Sequence, residues 1–343
     1  MKTNKRVVAF GEIMLRLGTH RYERFIQARN FEAVYTGAET NVCVSLVNFG
    51  VDSFIVSKIP SNEIGQAGIN YIRSFGVNTD YIVRGGKRLG LFYLETGYSQ
   101  RPSKVIYDRA GSAITELKEE ELNWINIFQG KDWFHFSGIT PALADNVAGI
   151  TGKACNVAKK LGLTVSCDLN YRQKLWNQEK ARTTMSKLME FVDVLICNEE
   201  DAEMVFGIKA EGVDVKSGQL NAEKYKEVAW QLHKNFNLKC VAITLRESIS
   251  ATINNWAGLL YDGEKYYTSR HYKMHIVDRV GGGDSFAGGL IYGFITGMSM
   301  QDVIEFATAA SCLKHSIHGD FNLVSLEEVE ILVKGDKSGR VQR

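Results

Sequence analysis

Three consecutive glycines and an acid form the densest chemical signal in the chain: Asp278-Arg279-Val280-Gly281-Gly282-Gly283-Asp284-Ser285-Phe286. An apolar helical pattern follows and ends near Gly297. Glycines at such a junction let successive backbone N–H groups turn toward one point. The helix beginning there adds the positive end of its dipole, so the turn can cradle an anion. A phosphoryl group in transfer, with charge on its outer oxygens, suits that cradle. Asp284 at the mouth can orient a hydroxyl and accept its proton. The run lacks the Gly-Lys-Ser/Thr ending of a Walker A loop and is no G-x-G-x-x-G after the first strand. Taken alone, it is equally a plain turn with Asp284 as a helix cap.

Further polar groups stand behind four short apolar runs. Ser137-Gly138-Ile139-Thr140, Asp168-Leu169-Asn170-Tyr171-Arg172, Asn198-Glu199-Glu200-Asp201 and Thr244-Leu245-Arg246 each close a strand-like segment, at 133–139, 163–170, 192–198 and 238–245. Helical patterns lie between them at 146–161, 179–191 and 222–236. Nearly continuous apolar strands alternating with amphipathic helices predict an α/β fold, a mainly parallel sheet covered on both faces. Ligands of such sheets collect at the strands' carboxyl ends, where these polar groups fall. The last hundred residues predict a strand pair around Asp262-Gly263, then helices near 284–296, 300–315 and 326–333.

Two stretches break the alternation, about 14–35 and 89–109. Leu91-Phe92-Tyr93-Leu94 and Val105-Ile106-Tyr107 are aromatic and β-branched, as strands prefer. They predict a small β lid inserted in the core of one domain spanning 1–343; two extra edge strands of the main sheet are the alternative.

Composition narrows the partners. Forty-one Lys and Arg face 39 Asp and Glu, a net charge of +2 that gives no reason to expect nucleic acid or a membrane surface. The apolar run at 7–10 is too short for a signal-peptide core or a membrane span, so the cytoplasm is the expected location. The six cysteines are scattered without a C-x-x-C pair, which predicts buried, inert thiols.

With Asp278 upstream, Gly281–Asp284 resembles the C-terminal signature of the ribokinase-like (PfkB) carbohydrate kinases, D-T-x-G-A-G-D. Thr36-Gly37-Ala38-Glu39-Thr40-Asn41 resembles their N-terminal signature, G-G-A-x-x-N. The resemblance spans roughly 7 to 330. It implies a three-layer αβα core with a β lid, ATP and Mg²⁺ as cofactors, Asp284 as catalytic base, and sugar contacts at Gly37 and Asn41. The family's N-x-x-E motif is Asn198-Glu199-Glu200-Asp201 here, which implies that Asn198 and Asp201 organise water around Mg²⁺, with no direct protein ligand. Thr244 falls on the nucleotide side, but Arg246-Glu247-Ser248 departs from the family's Thr-Leu-Gly and leaves the adenine contacts unassigned. Two departures touch the signatures themselves. Gly282 stands for alanine, a change expected to be harmless, and Thr36 stands for glycine beside the sugar pocket.

Within that family, Gly11–Leu17, 135–143, 168–176 and 314–320 resemble the 2-keto-3-deoxygluconate kinases most closely. A small acidic sugar is the implied substrate, with Tyr107, Arg109, Arg172 and Ile139 at its site. The chemistry agrees, because a carboxylate is best held by the bidentate fork of arginine. Tyr107 and Arg109, two apart on a strand, share one face. Surface pairing of Arg109 with Asp108 or Glu95, and of Arg172 with Asp168, is the structural alternative. A kinase of a neutral sugar or nucleoside, or a nucleotide-binding module without catalysis, also remains open. So do activation by a monovalent cation and pairing of two copies through exposed lid edges.

Overall fold

The structure, a computed structural model, describes residues 3–209 and 222–335. It opens with β1 (Arg6–Phe10), β2 (Met14–Thr19), β3 (Phe31–Thr36), α1 (Ala38–Asn48), β4 (Asp52–Ile59), α2 (Glu63–Ser74) and β5 (Ile82–Arg84). Next come β6 (Gly90–Glu95), β7 (Lys104–Asp108), α3 (Trp124–Phe128), β8 (Trp133–Ser137), α4 (Ile139–Ala142), α5 (Asp145–Lys160) and β9 (Thr164–Asp168). The chain continues through α6 (Gln178–Met189), β10 (Val194–Cys197), α7 (Glu199–Phe206), α8 (Ala222–Phe236), β11 (Cys240–Ser248) and β12 (Ile253–Tyr261). It closes with β13 (Tyr266–Thr268), β14 (Tyr272–His275), α9 (Gly282–Ile295), α10 (Met300–Lys314) and α11 (Leu326–Lys334).

The main sheet follows the order β13-β12-β11-β10-β9-β8-β1-β4-β5, with β14 also on β12. From β11 to β5 every pairing is parallel; β12 to β14 add an antiparallel edge. Strand residues alternate between two helical layers, which is why the runs read as continuously apolar. Val8, Leu195 and Val241 face the layer of α3, α5, α6 and α8, whereas Val7, Val194 and Ala242 face that of α1, α9, α10 and α11. The architecture is the expected three-layer αβα sandwich. β1 pairs with β4 on one side and β8 on the other, so the connections diverge there and open a crevice at the strand ends.

Predicted elements end within a few residues of the observed ones, but the pattern between 36 and 89 gave no assignment. There the chain forms α1, β4, α2 and β5. α1 carries little amphipathic signal because Val42, Cys43, Val44, Ser45 and Leu46 are all buried, its whole girth being wrapped by sheet and helix.

The lid is a separate four-stranded sheet, order β3-β2-β6-β7, and not an extension of the main sheet's edge. Arg16 ties it to the core. From the middle of β2 its buried guanidinium bonds Asp278 at 2.7 Å and also Asp320, one residue from each side of the α9–α10 pair. Arg16→Met would strand two buried carboxylates and is expected to cost about 3–5 kcal/mol in chemical denaturation.

Candidate active site

The strand ends, the lid and the start of α9 enclose one cavity of about 770 Å³. Gly37, Asn41, Tyr107, Arg109, Ile139, Arg172, Asn198, Asp201, Thr244, Gly281, Gly282, Gly283 and Asp284 all line it, so every sequence-predicted site residue is brought to one place.

The floor is the glycine turn. Gly281 adopts φ 80°, and a Cβ there would strike the Asp320 carbonyl, so only glycine fits. Gly282 and Gly283 open α9. The Gly282 amide turns back to the Arg279 carbonyl at 3.3 Å, whereas those of Gly283 and Asp284 have no carbonyl partner among the described residues. A Cβ on Gly283 would meet open space. One on Gly282 would collide with the His315 imidazole, which corrects the expectation that the missing methyl is harmless. His315 fills that place, held by its Nδ1 on the Ser311 carbonyl at 2.6 Å, while Ser311 Oγ donates to the Gly282 carbonyl at 2.7 Å. Gly282→Ala is expected to lose about 1–3 kcal/mol by overpacking, and a second change, His315→Ala, to restore part of it.

Asp284 is 9% exposed and accepts a 2.6 Å hydrogen bond from Asn41 Nδ2. Burial pushes its carboxyl up to about 7; the Asn41 bond and Arg172 oppose the rise, and Glu39 and Asp320 add repulsion. Asp201 is pushed up to about 6, again by burial, with Arg172 opposing. Its Oδ1 accepts the Tyr171 amide at 2.9 Å, and Asn198 caps α7 by accepting the Asp201 amide at 2.7 Å. Asp168 is held well above the carboxylate range by burial and then by Asp201 and Asp284. Its carboxylate has no hydrogen-bond partner among the described residues. A group that binds its proton more tightly when folded loses stability as pH climbs from its unfolded pKa toward its folded one. Asp284→Asn is therefore expected to raise Tm more at pH 8 than at pH 5.

The arginines differ in their freedom. Arg109 is buried, its fork already closed on Glu12, which also takes the Ser112 hydroxyl. The surface alternatives fail, since Asp108 pairs with Arg88 and Glu95 with Arg101. Arg109 stands 5.5 Å from the Tyr107 ring, on the cavity side. Arg172 hydrogen-bonds the Tyr171 carbonyl and makes no ion pair with a described residue, Asp168 included. Phe92, and not Tyr93, faces the cavity; Tyr93 packs edge-on to Phe31 instead.

Two features escaped the sequence pattern: Glu12 and Arg279 also line the cavity, and Arg246, expected at the end of β11, lines it beside Trp256. Arg279 Nη2 is buried with no partner among the described residues, and burial and then Arg246 hold the guanidinium down at about 10. The only hint for Arg279 was a basic residue beside the glycine turn with no acid at helical spacing.

The profile of the pfkB family carbohydrate kinases matches residues 4–324. The 2-dehydro-3-deoxygluconokinase of Thermotoga maritima has a similar structure, with a TM-score of 0.93 and 52% identity over 96% of this chain and 100% of that one. A 2-dehydro-3-deoxygalactonokinase of Haloferax volcanii is 32% identical over 97% of this chain and 98% of its own. The 2-dehydro-3-deoxygluconokinase of Thermoproteus tenax is 26% identical over 96% and 94%. This chain belongs to the pfkB family of carbohydrate kinases. It is an enzyme that phosphorylates a carbohydrate, built on the ribokinase-like fold. Among the described residues no helix is long and apolar enough to cross a membrane.

Proposed function

We propose that the chain transfers the γ-phosphoryl group of ATP to the terminal hydroxyl of 2-keto-3-deoxygluconate, giving 2-keto-3-deoxy-6-phosphogluconate, in the cytoplasm. The observation that carries this reading is Arg172, a guanidinium that makes no ion pair with a described residue and lines the same cavity as the buried Asp284 and the glycine turn. Arg172 would hold the sugar carboxylate. Tyr107, Ile139 and the Arg109–Glu12 pair would shape the rest of the sugar pocket, with Gly37 and Asn41 on its floor. The names borne by the relatives above support an acidic keto-deoxy sugar, in either epimeric form.

Asp284 would accept the proton of the attacking hydroxyl. The amides of the Gly281–Gly283 turn and of Asp284 would face the charge on the transferring group. Arg279 and Arg246, which make no ion pair with a described acid, would suit the nucleotide phosphates beside Thr244. The site also fits Mg²⁺: Asp168 is an uncompensated carboxylate repelled by its neighbours, and hard oxygens suit that ion. Among the described residues no three acids or histidines converge as a cage, so water and phosphate would complete the shell, with Asn198 and Asp201 ordering it. When bound, Mg²⁺ would neutralise phosphate charge as it develops.

A monovalent cation has no part in this reading. Behind the turn the fully buried Lys314 ammonium donates to the Asp278 carbonyl at 3.0 Å, and Arg16 neutralises the Asp278 carboxylate. The lid and core would act as one kinase unit. Ile26, Phe31 and Ile106 leave the lid's surface apolar and exposed, which suits pairing with a second copy.

The test is ADP release across 2-keto-3-deoxygluconate, its galactose-derived epimer, gluconate, fructose, ribose and adenosine. Preference for a keto-deoxy acid is expected; preference for a neutral sugar would refute the carboxylate pocket, and no ATP turnover with any would refute the sugar-acid assignment. With the preferred substrate, Arg172→Ala should raise KM about 10- to 100-fold. Asp284→Asn should lower kcat by about 10²–10⁴. In the unaltered enzyme kcat/KM should fall as pH drops through about 7, where Asp284 gains its proton.

A further inference from the structure

Four buried side chains form an unbroken line from the lid's anchor to the proposed base. Asp320 bonds Arg16 through Oδ1, and its Oδ2 lies 2.8 Å from the Thr36 hydroxyl. The same hydroxyl lies 2.8 Å from Asn41 Oδ1, and Asn41 Nδ2 lies 2.6 Å from Asp284 Oδ2. A threonine hydroxyl has one proton, yet both of its neighbours here are acceptors.

We propose that Thr36 is a positioning residue whose one hydroxyl proton is contested by Asn41 and Asp320, and that this contest makes Asp284 a stronger base. With Asp284 ionised, Asn41 must donate to it, so Asn41 Oδ1 needs the Thr36 proton. Asp320 Oδ2 then faces the Thr36 oxygen with no proton between them. Protonating Asp320 would cure this, but Arg16 on its other oxygen opposes it.

With Asp284 protonated, the line can be satisfied throughout. Half a turn of the Asn41 amide exchanges its oxygen and nitrogen and leaves the neighbouring side chains in place. Asp284 then donates to Asn41 Oδ1, Asn41 Nδ2 donates to Thr36 Oγ1, and Thr36 donates to an Asp320 that stays ionised against Arg16. The only proton gained is the one Asp284 takes up. A buried polar contact without its proton is costly, so the line favours the protonated acid. That is the state the base reaches when it removes a proton from a hydroxyl. A glycine at 36, the family's residue, would leave Asn41 free to serve an ionised Asp284.

Other charges face Asp284 as well: Glu39 on α1, Asp168 and Arg172 at the end of β9, Asp320, and Lys314 on α10. All of them persist in a Thr36 variant, so a change there reports on the hydroxyl. Burial raises the Asp284 carboxyl on its own account and persists in a Thr36 variant as well.

This inference rests on Asp284 being the base, but its test does not need turnover. Aspartate carboxyl carbons are labelled with ¹³C and titrated by NMR in the protein without ligands, the Asp284 signal being assigned by its loss in Asp284→Asn. Thr36→Val should lower the Asp284 midpoint by about half to one pH unit, and Thr36→Ser should restore it. Thr36→Ala, which cannot overpack, should match Thr36→Val and serves if the valine variant is unstable. The acid limb of kcat/KM should move to lower pH by the same amount. A midpoint unmoved in folded Thr36→Val or Thr36→Ala would overturn the proposal. A shifted midpoint in an enzyme inactive on every sugar acid would keep the line and discard the substrate.

Discussion

The grip of Arg16 on Asp278 and Asp320 is the interaction on which the site depends. It joins the lid strand β2 to the two segments that frame α9 and α10, and it does so where water cannot compete. A buried pair of this kind adds little net stability, because removing three charged groups from water nearly cancels their attraction. What it provides is position. Asp278 precedes the glycine turn and Asp320 presses its carbonyl against Gly281, so the same guanidinium sets the lid and the glycine turn in one frame. Lys314, donating to the Asp278 carbonyl from α10, completes the charge balance from behind.

In front of that frame the balance is deliberately unequal. Asp168, Asp201 and Asp284 all lie above the ordinary carboxylate range, chiefly through burial. Arg172 is the cation that opposes the rise at each of them, without contacting any as an ion pair. Elsewhere in the cavity the Arg279 guanidinium lies near Arg246, its Nη2 without a partner among the described residues. Acids and guanidiniums that line one cavity without forming ion pairs among the described residues are costly to bury. They suit a ligand that brings metal to the first group and phosphate to the second.

Much of this was legible in the sequence because the sheet is parallel. Continuous apolar runs marked β8 to β11, and the polar residues just beyond each run reached the cavity. Geometry places Asp284, the glycines, Tyr107, Arg109 and Arg172 together. α1 was not legible, since a helix buried on all sides loses the period that reveals a helix. Nor was the Glu12–Arg109 pair, whose members are 97 residues apart in sequence and meet only when the lid folds over β1. Long-range pairing of charges leaves no local trace.

The two departures from the family signatures show the same limit at finer scale. Gly282 reads as the loss of a methyl, yet its space is occupied by His315, anchored one helix away. Thr36 reads as added bulk beside a pocket, and it does line the cavity, but its hydroxyl also touches both Asn41 and Asp320. In each case the altered motif residue meets a side chain from the 315–320 segment, which sequence resemblance treats as a separate landmark. Motif letters are therefore not independent marks of function here. The first signature, the glycine turn and the 315–320 segment form one packed unit, and a change in any of them is interpretable only through what the other two place against it.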